Sequence, residues 1–265
     1  MKAFTEGGKR LDSAYNFDFL YAPRLTAPLV RASLSQWSDE PGEGWPSWAF
    51  SNHDAPRAVT RWTLDGDMAR AARLNLLLLL SLRGNPIIYQ GEELGLPQGE
   101  VAFEDLLDPE AIANWPHTLG RDGARTPMPW SANAPQAGFS SANRTWLKLD
   151  PVHTGFAVDS QASDPASTLG YARQLLAARR HYPALVHGAI TLLDAPEDIL
   201  AFLRHGESGQ VLCVFNLGEA PGHWSPPADL GPLRLIATES TVDTGGALAQ
   251  DMAPGTGYWA VVAGS

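Results

Sequence analysis

At 265 residues, 44% apolar and 18% charged, the chain can fill one large or two ordinary globular domains, and its composition excludes a disordered protein. The 29 acidic against 19 basic residues, with no dense Lys/Arg cluster, exclude nucleic acid and anionic membrane as main partners, because both need a positive surface. A single cysteine, Cys213, excludes a disulfide framework and a cysteine-based zinc site, and the seven histidines show no His-x-x-x-His spacing.

Along the chain, residues 1–10 carry Lys2, Glu6, Lys9 and Arg10 and no apolar run, so they do not read as a secretion signal. Tyr15, Phe17 and Phe19 alternate with Asn16 and Asp18, which predicts a strand over Tyr15–Leu20. A helix is expected over Ala27–Trp37 and a second strand over Trp45–Ser51, stopping at Asn52-His53-Asp54-Ala55-Pro56. Helical spacing of Met68, Ala71, Ala72, Asn75, Leu76 and Leu79 predicts a helix over Asp67–Leu82, with Gly84 as its carboxy-terminal cap. Its Leu-rich run, Leu74–Leu82, is far short of the roughly 20 residues that cross a bilayer. A soluble, cytoplasmic protein without a membrane partner is therefore expected.

Pro86–Tyr89 reads as a short buried parallel strand, so strand and helix alternate as in βαβ units. Residues 96–166, rich in Pro, Gly, Asp and Trp, lack periodicity and predict a long loop that is either functional or an inserted subregion. A helix over Thr168–Arg180 follows. From Pro183 onward, apolar runs at Ala189–Leu193, Ile199–Leu203, Val211–Leu217, Leu233–Ala237 and Tyr258–Ala263 alternate with turn residues, including a hairpin loop at 206–209. This predicts an antiparallel β-sandwich over 184–265, behind an α/β region over 1–183.

Ser51-Asn52-His53-Asp54, then Ile88-Tyr89-Gln90-Gly91-Glu92-Glu93-Leu94-Gly95, then Arg121-Asp122-Gly123-Ala124-Arg125-Thr126-Pro127-Met128-Pro129-Trp130 resemble, in order, three blocks of the α-glucosidase (oligo-1,6-glucosidase-like) branch of the α-amylase superfamily. The aromatic segment Tyr15–Leu20 resembles the stretch that precedes them. The resemblance implies an α/β fold: part of a (β/α)₈ TIM barrel, about strands 6 to 8, followed by the family's terminal β-domain. It departs from the family pattern at Pro129, where a glutamine is usual, and at Asn85, where Thr or Ser is usual.

The same resemblance implies an exo-acting retaining α-glucosidase acting on a small α-glucoside, with no cofactor and no metal. Asp54 resembles the carboxylate after the seventh strand that stabilises the transition state, and His53 and Arg125 resemble residues that bind the terminal glucose. Retaining glycosidases also need a nucleophile and an acid/base about 5–5.5 Å apart. No Gly-x-Arg-x-Asp block for the nucleophile occurs, and Glu6 lies too close to the aromatic segment to be the family's acid. About 183 residues precede the β-domain, whereas a whole barrel takes ~250. Met1 is thus expected to be an internal start, the missing partner being the amino-terminal barrel segment of a parent chain, and the chain alone is expected to be inactive.

Other readings of the same residues stay open at this level. Asp54 can be a helix cap. Arg121 and Arg125 can brace the long loop through Asp122 or Glu104. Glu92 or Glu93 can be catalytic, and the tryptophans at 37, 45, 48, 62, 115, 130 and 146 can be packing or sugar platforms. A non-catalytic amylase-like protein, or a carbohydrate-binding β-domain using Trp224 and Trp259, is the alternative function.

Overall fold

A computed structural model of the chain describes residues 2–5, 9–37, 44–118, 120–207, 209–243 and 245–263. Glu6 and Ser208 lie outside the described residues. After a short helix α1 (Lys2–Thr5), strand β1 (Ser13–Asn16), helix α2 (Ala27–Ser35), strand β2 (Trp45–Ala49), helices α3 (Ala58–Trp62) and α4 (Met68–Ser81), and strand β3 (Asn85–Ile87) follow in order. The three strands form a parallel sheet in the order β1-β2-β3, with Ser13 opposite Trp45 and Ser47 opposite Asn85. Parallel neighbours joined by helices are the unit from which α/β barrels are built.

Local chemistry sets the element ends. The Thr26 side chain caps α2 by accepting from the Leu29 amide at 3.3 Å, and Asp67 caps α4 by accepting from Arg70 N at 3.0 Å. The first strand ends four residues earlier than its aromatic alternation predicts. Asn16 Oδ1 accepts from the Asp18 amide at 2.8 Å, and this turn takes Phe17–Leu20 out of the sheet. Gly84 is not the cap of α4: the helix gives way at Leu82, which is already extended. Gly84 instead permits a close approach. Its φ is +135°, and a Cβ there would lie 2.3 Å from the Pro46 carbonyl oxygen. Asn85, unusual for the family it resembles, donates to the Ser13 hydroxyl at 3.0 Å and joins a hydroxyl layer with Ser47.

The long region after β3 is ordered into short helical turns, including α5 (Pro109–Asn114) and α6 (Val158–Gln161). Its aspartates explain how an aperiodic segment holds its shape. Asp122 accepts from the amides of Leu107 and Asp108 at 2.7 and 2.9 Å, and Asp150 from those of Glu100 and Val152. The chain then enters α7 (Thr168–His181), capped by Ser167, and α8 (Pro183–His187).

The remainder comprises β4 (Ala189–Leu192), β5 (Ile199–Gly206), β6 (Gly209–Asn216), β7 (Gly222–His223), β8 (Leu233–Thr238), β9 (Asp251–Met252) and β10 (Thr256–Val262). Five strands form an antiparallel sheet in the order β4-β5-β6-β10-β8, and β5 and β6 meet as a hairpin with Gly206 opposite Gly209. The second layer is smaller than a sandwich predicts: β7 and β9 make a two-stranded ribbon. Period-two alternation sorts β5 accordingly. Ile199, Ala201 and Leu203 face the side occupied by Trp224 and Met252, while Leu200 and Phe202 join the helices.

One hydrophobic core therefore runs from the parallel sheet through α4 and α7 into the antiparallel sheet, taking in Phe19, Trp48, Leu77, Leu175, Phe202 and Trp259. Helix α4 is apolar around much of its circumference because it is buried between layers. Its last carbonyls, which have no partner inside a helix, are met by arginines: Arg179 donates to Leu80 O at 3.0 Å and Arg204 to Ser81 O at 2.7 Å. Among the described residues, no helix is long and apolar enough to cross a membrane.

Candidate active site

Beyond β2 the chain leaves the sheet through Phe50 and Ser51 and turns on Asn52. The Asn52 side-chain oxygen accepts from the amides of Asp54 and Ala55, both at 2.8 Å. This side-chain turn sets Asp54 just past the carboxy-terminal edge of the parallel sheet, which is where α/β barrels carry their chemistry. The hydroxyl of Tyr15, on β1, bonds to the Asn52 side chain, and burial pushes that phenol above its ordinary pKa.

Three side chains converge on the Asp54 carboxylate. Arg125 Nη2 lies 2.8 Å from Oδ1, and its Nε donates to the His53 carbonyl oxygen at 2.7 Å. His53 Nε2 sits 3.3 Å from Oδ2, and Arg121 Nη1 is 3.7 Å from Oδ1. The sequence-predicted trio of His53, Asp54 and Arg125 is thus one cluster, although 71 residues separate Asp54 from Arg125. The Asp54 side chain is 39% exposed, so its remaining lone pairs face an open cleft of about 640 Å³ lined by Tyr21, Pro56, Glu110, Thr118 and Arg121. A carboxylate held by two guanidinium groups and open on one side is an acceptor for ligand hydroxyls.

The same contacts decide among the structural alternatives. Asp54 does not cap α3; the amide of Ala58 bonds instead to Ser51 Oγ at 2.8 Å. Arg121 does brace the loop, but through Asp108, with Nε and Nη2 at 2.9 and 2.6 Å from the carboxylate. That carboxylate is buried, and Arg121 holds it well below its usual range. Arg125 pairs with Asp54 and not with Asp122 or Glu104. Glu92 points inward, accepting from Ser51 Oγ at 2.7 Å and Tyr89 N at 2.8 Å, and Glu93 accepts from Gly91 N. Burial pushes the Glu92 carboxyl up to about 7.

Trp37, Trp48 and Trp62 are packed in an aromatic cluster with Phe19 and Phe50. Trp224 and Trp259 are buried too, which leaves the β-domain without tryptophan platforms. Trp115, Trp130 and Trp146 are exposed. Sequence reasoning missed Tyr15, Arg57 and Arg121 as supports of the cluster. Arg57 is nearly fully buried and donates to the carbonyls of Gln90 and Ala124, the latter adjoining Arg125. Among the described residues, no three His, Cys, Asp or Glu side chains gather as a metal site.

Residues 11–188, which include the whole cluster, match the family described as Alpha amylase, catalytic domain. The chain belongs to the alpha-amylase family. Its curated relatives include a probable alpha-glucosidase of Rhizobium meliloti (strain 1021), 44% identical over 233 residues, which are 87% of this chain and 42% of the relative. A glucan 1,6-alpha-glucosidase of Streptococcus dysgalactiae subsp. equisimilis is 31% identical over 84% of this chain and 45% of its own length. Among solved structures, the alpha-glucosyl transfer enzyme XgtA superposes with a TM-score of 0.84 at 41% identity, covering 98% of this chain and 48% of that one. The trehalulose synthase MutB gives 0.82 at 26%, covering 98% of this chain and 52% of that one. The chain spans less than half the length of the curated relatives named here. These likenesses establish the alpha-amylase superfamily fold, a TIM barrel with an antiparallel β-sheet domain.

Proposed function

We propose that the chain is the carboxy-terminal part of an exo-acting retaining α-glucosidase that hydrolyses terminal α-linked glucose. The observation that carries this reading is the convergence of His53, Arg125 and Arg121 on Asp54 at the carboxy-terminal edge of a parallel sheet. In this reading β1, β2 and β3 are the sixth, seventh and eighth strands of a barrel. Residues 1–183 belong to the catalytic domain and 184–265 form the terminal β-domain.

Asp54 accepts hydroxyls of the terminal glucose, and those bonds tighten as the ring flattens towards an oxocarbenium-like state. Arg125 orients the carboxylate and closes the non-reducing end, and His53 supplies a donor beside it. The nucleophile and the acid/base come from an amino-terminal segment, which is the partner this chain requires. The alpha-glucosidase and glucan 1,6-alpha-glucosidase among the relatives support an α-glucoside as the substrate class, and we propose a small one.

The nucleotide sequence upstream of Met1 tests the assignment. An open frame encoding an Arg-x-Asp strand end, and further on a strand-end Glu, is expected. A stop codon directly before Met1, with no family sequence beyond it, would contradict it.

A further inference from the structure

The segment 51–58 carries Asp54 at its centre, and both of its ends are tied to one side chain. Ser51 Oγ donates to Glu92 Oε1 at 2.7 Å and accepts from the Ala58 amide at 2.8 Å. The other Glu92 oxygen accepts from Tyr89 N at 2.8 Å, just past β3. We propose that Glu92 is a positioning residue whose carboxyl, through Ser51, locks the Asp54 loop onto the end of β3, and that its protonation state sets how firmly the loop is held.

The surroundings favour this role over that of an inert buried acid. The void beside it, lined by Ser51, Arg57, Asn75 and Glu92 among apolar groups, measures about 10 Å³, room for one water at most. The carboxyl therefore exchanges its bonds with protein groups and not with bulk solvent. A charged carboxylate accepts from both donors at once, whereas a protonated one must spend an oxygen on donating. Among the described residues, Glu92 is the acceptor for both Ser51 Oγ and Tyr89 N.

The charges that face Glu92 are those of Arg57, on the loop before α3, Arg61 on α3, and Glu93 on the following turn, with the hydroxyl of Tyr15 reaching in from β1. Burial, and after it Glu93, opposes the charged form; the bonds from Ser51 and Tyr89 and the two arginines favour it, and the balance falls near neutrality. A carboxyl that titrates in this range while holding Ser51, whose hydroxyl also accepts from the far end of the site loop, couples pH to loop geometry. The consequence for glucose binding rests on the α-glucosidase reading; the clamp itself does not.

Solution NMR of the full 265-residue chain tests the clamp without any sugar. The Tyr89 and Ala58 amide signals should move together with an inflection near pH 7. That inflection should vanish in Glu92→Gln and persist in His53→Gln, which separates it from the neighbouring imidazole. In Glu92→Gln, amide exchange at Ala58 and Tyr89 should quicken roughly tenfold, the loss of one hydrogen bond to a charged group, while core amides of α4 keep their protection. Should Glu92→Gln not fold, Ser51→Ala carries the test, with the same acceleration expected at Ala58. An inflection that survives Glu92→Gln, or unchanged exchange at Ala58 in Ser51→Ala, would overturn the proposal. Neither readout involves turnover, so the clamp stands or falls independently of the α-glucosidase reading.

Discussion

Replacing Arg204 by methionine keeps most of the side-chain volume and removes the polar fork that joins the two halves of the fold. Arg204 on β5 is fully buried, and it donates to Ser81 O at 2.7 Å, Leu185 O at 2.8 Å and Gly188 O at 2.8 Å. Ser81 and Leu185 carry carbonyls at the ends of α4 and α8, where no helical donor exists. Leaving these three buried carbonyls without this donor, beside the part-buried Ala189 carbonyl that accepts from Nε at 3.2 Å, costs at least about 3 kcal/mol at the low end of about 1 kcal/mol each. For a chain of this size that corresponds to a fall in Tm of roughly 6–12 °C. Differential scanning calorimetry of Arg204→Met beside the exposed-site control Arg180→Ala measures it. The shared core also requires one cooperative transition in both proteins. A Tm within about 2 °C of the parent, or a melt that splits into two steps, would show that Arg204 and a continuous core do not hold the layers together.

Glu92 makes the folded state bind more protons than the unfolded chain between pH 4.5 and about 7. Burial of the charge outweighs the two bonds that the charged carboxylate gains from Ser51 and Tyr89, so its net contribution to global stability is complete below pH 4.5 and lost as pH rises through 7, by about 3 kcal/mol in all. Urea titrations at pH 5 and pH 8 should show that slope, and Glu92→Gln should abolish it. Gly84→Ala places a methyl group against the Pro46 carbonyl at a φ that L-residues avoid, so a loss of at least about 2 kcal/mol is expected by urea unfolding. Arg125→Ala removes a partly exposed pair worth about 0–1 kcal/mol. It should leave the melt nearly unchanged while lowering turnover in the assembled enzyme. A large loss of stability would make Arg125 a loop brace.

Much of the fold is legible where local chemistry and burial agree. Helix α4 follows from its apolar period, and its ends fall within one residue of the expectation, with Asp67 as the cap and not the first residue. The antiparallel strands follow from apolar runs between turn residues. Strand ends in the parallel sheet are less legible, because side-chain acceptors compete there with the ladder. Asn16 ends β1 before its aromatic pattern does, and the Tyr89 amide goes to Glu92 in place of a neighbouring strand. The Asn-His-Asp segment and Arg125 are recognisable only through their ordered resemblance to a family. Pairs such as Arg121 with Asp108, 13 residues apart in an aperiodic loop, leave no periodic trace. Arg57 is equally silent, since its function depends on acceptors brought in from other segments. The reach of the core across residue 184 is not legible either, because it depends on which face of β5 meets the helices.

We propose that Asp54 is the glucose-gripping carboxylate of an α-glucosidase whose other acids lie on an amino-terminal segment. The most direct measurement is hydrolysis of an aryl α-glucoside by the chain alone, by the protein completed with that segment, and by the completed protein carrying Asp54→Asn. The predicted result is no turnover by the chain alone, turnover by the completed protein, and a loss of roughly 10²-fold or more in kcat on substitution with the fold retained. Robust hydrolysis by the chain alone would move the chemistry to Glu92 or Glu93, and full activity in the Asp54→Asn protein would contradict the role assigned to Asp54.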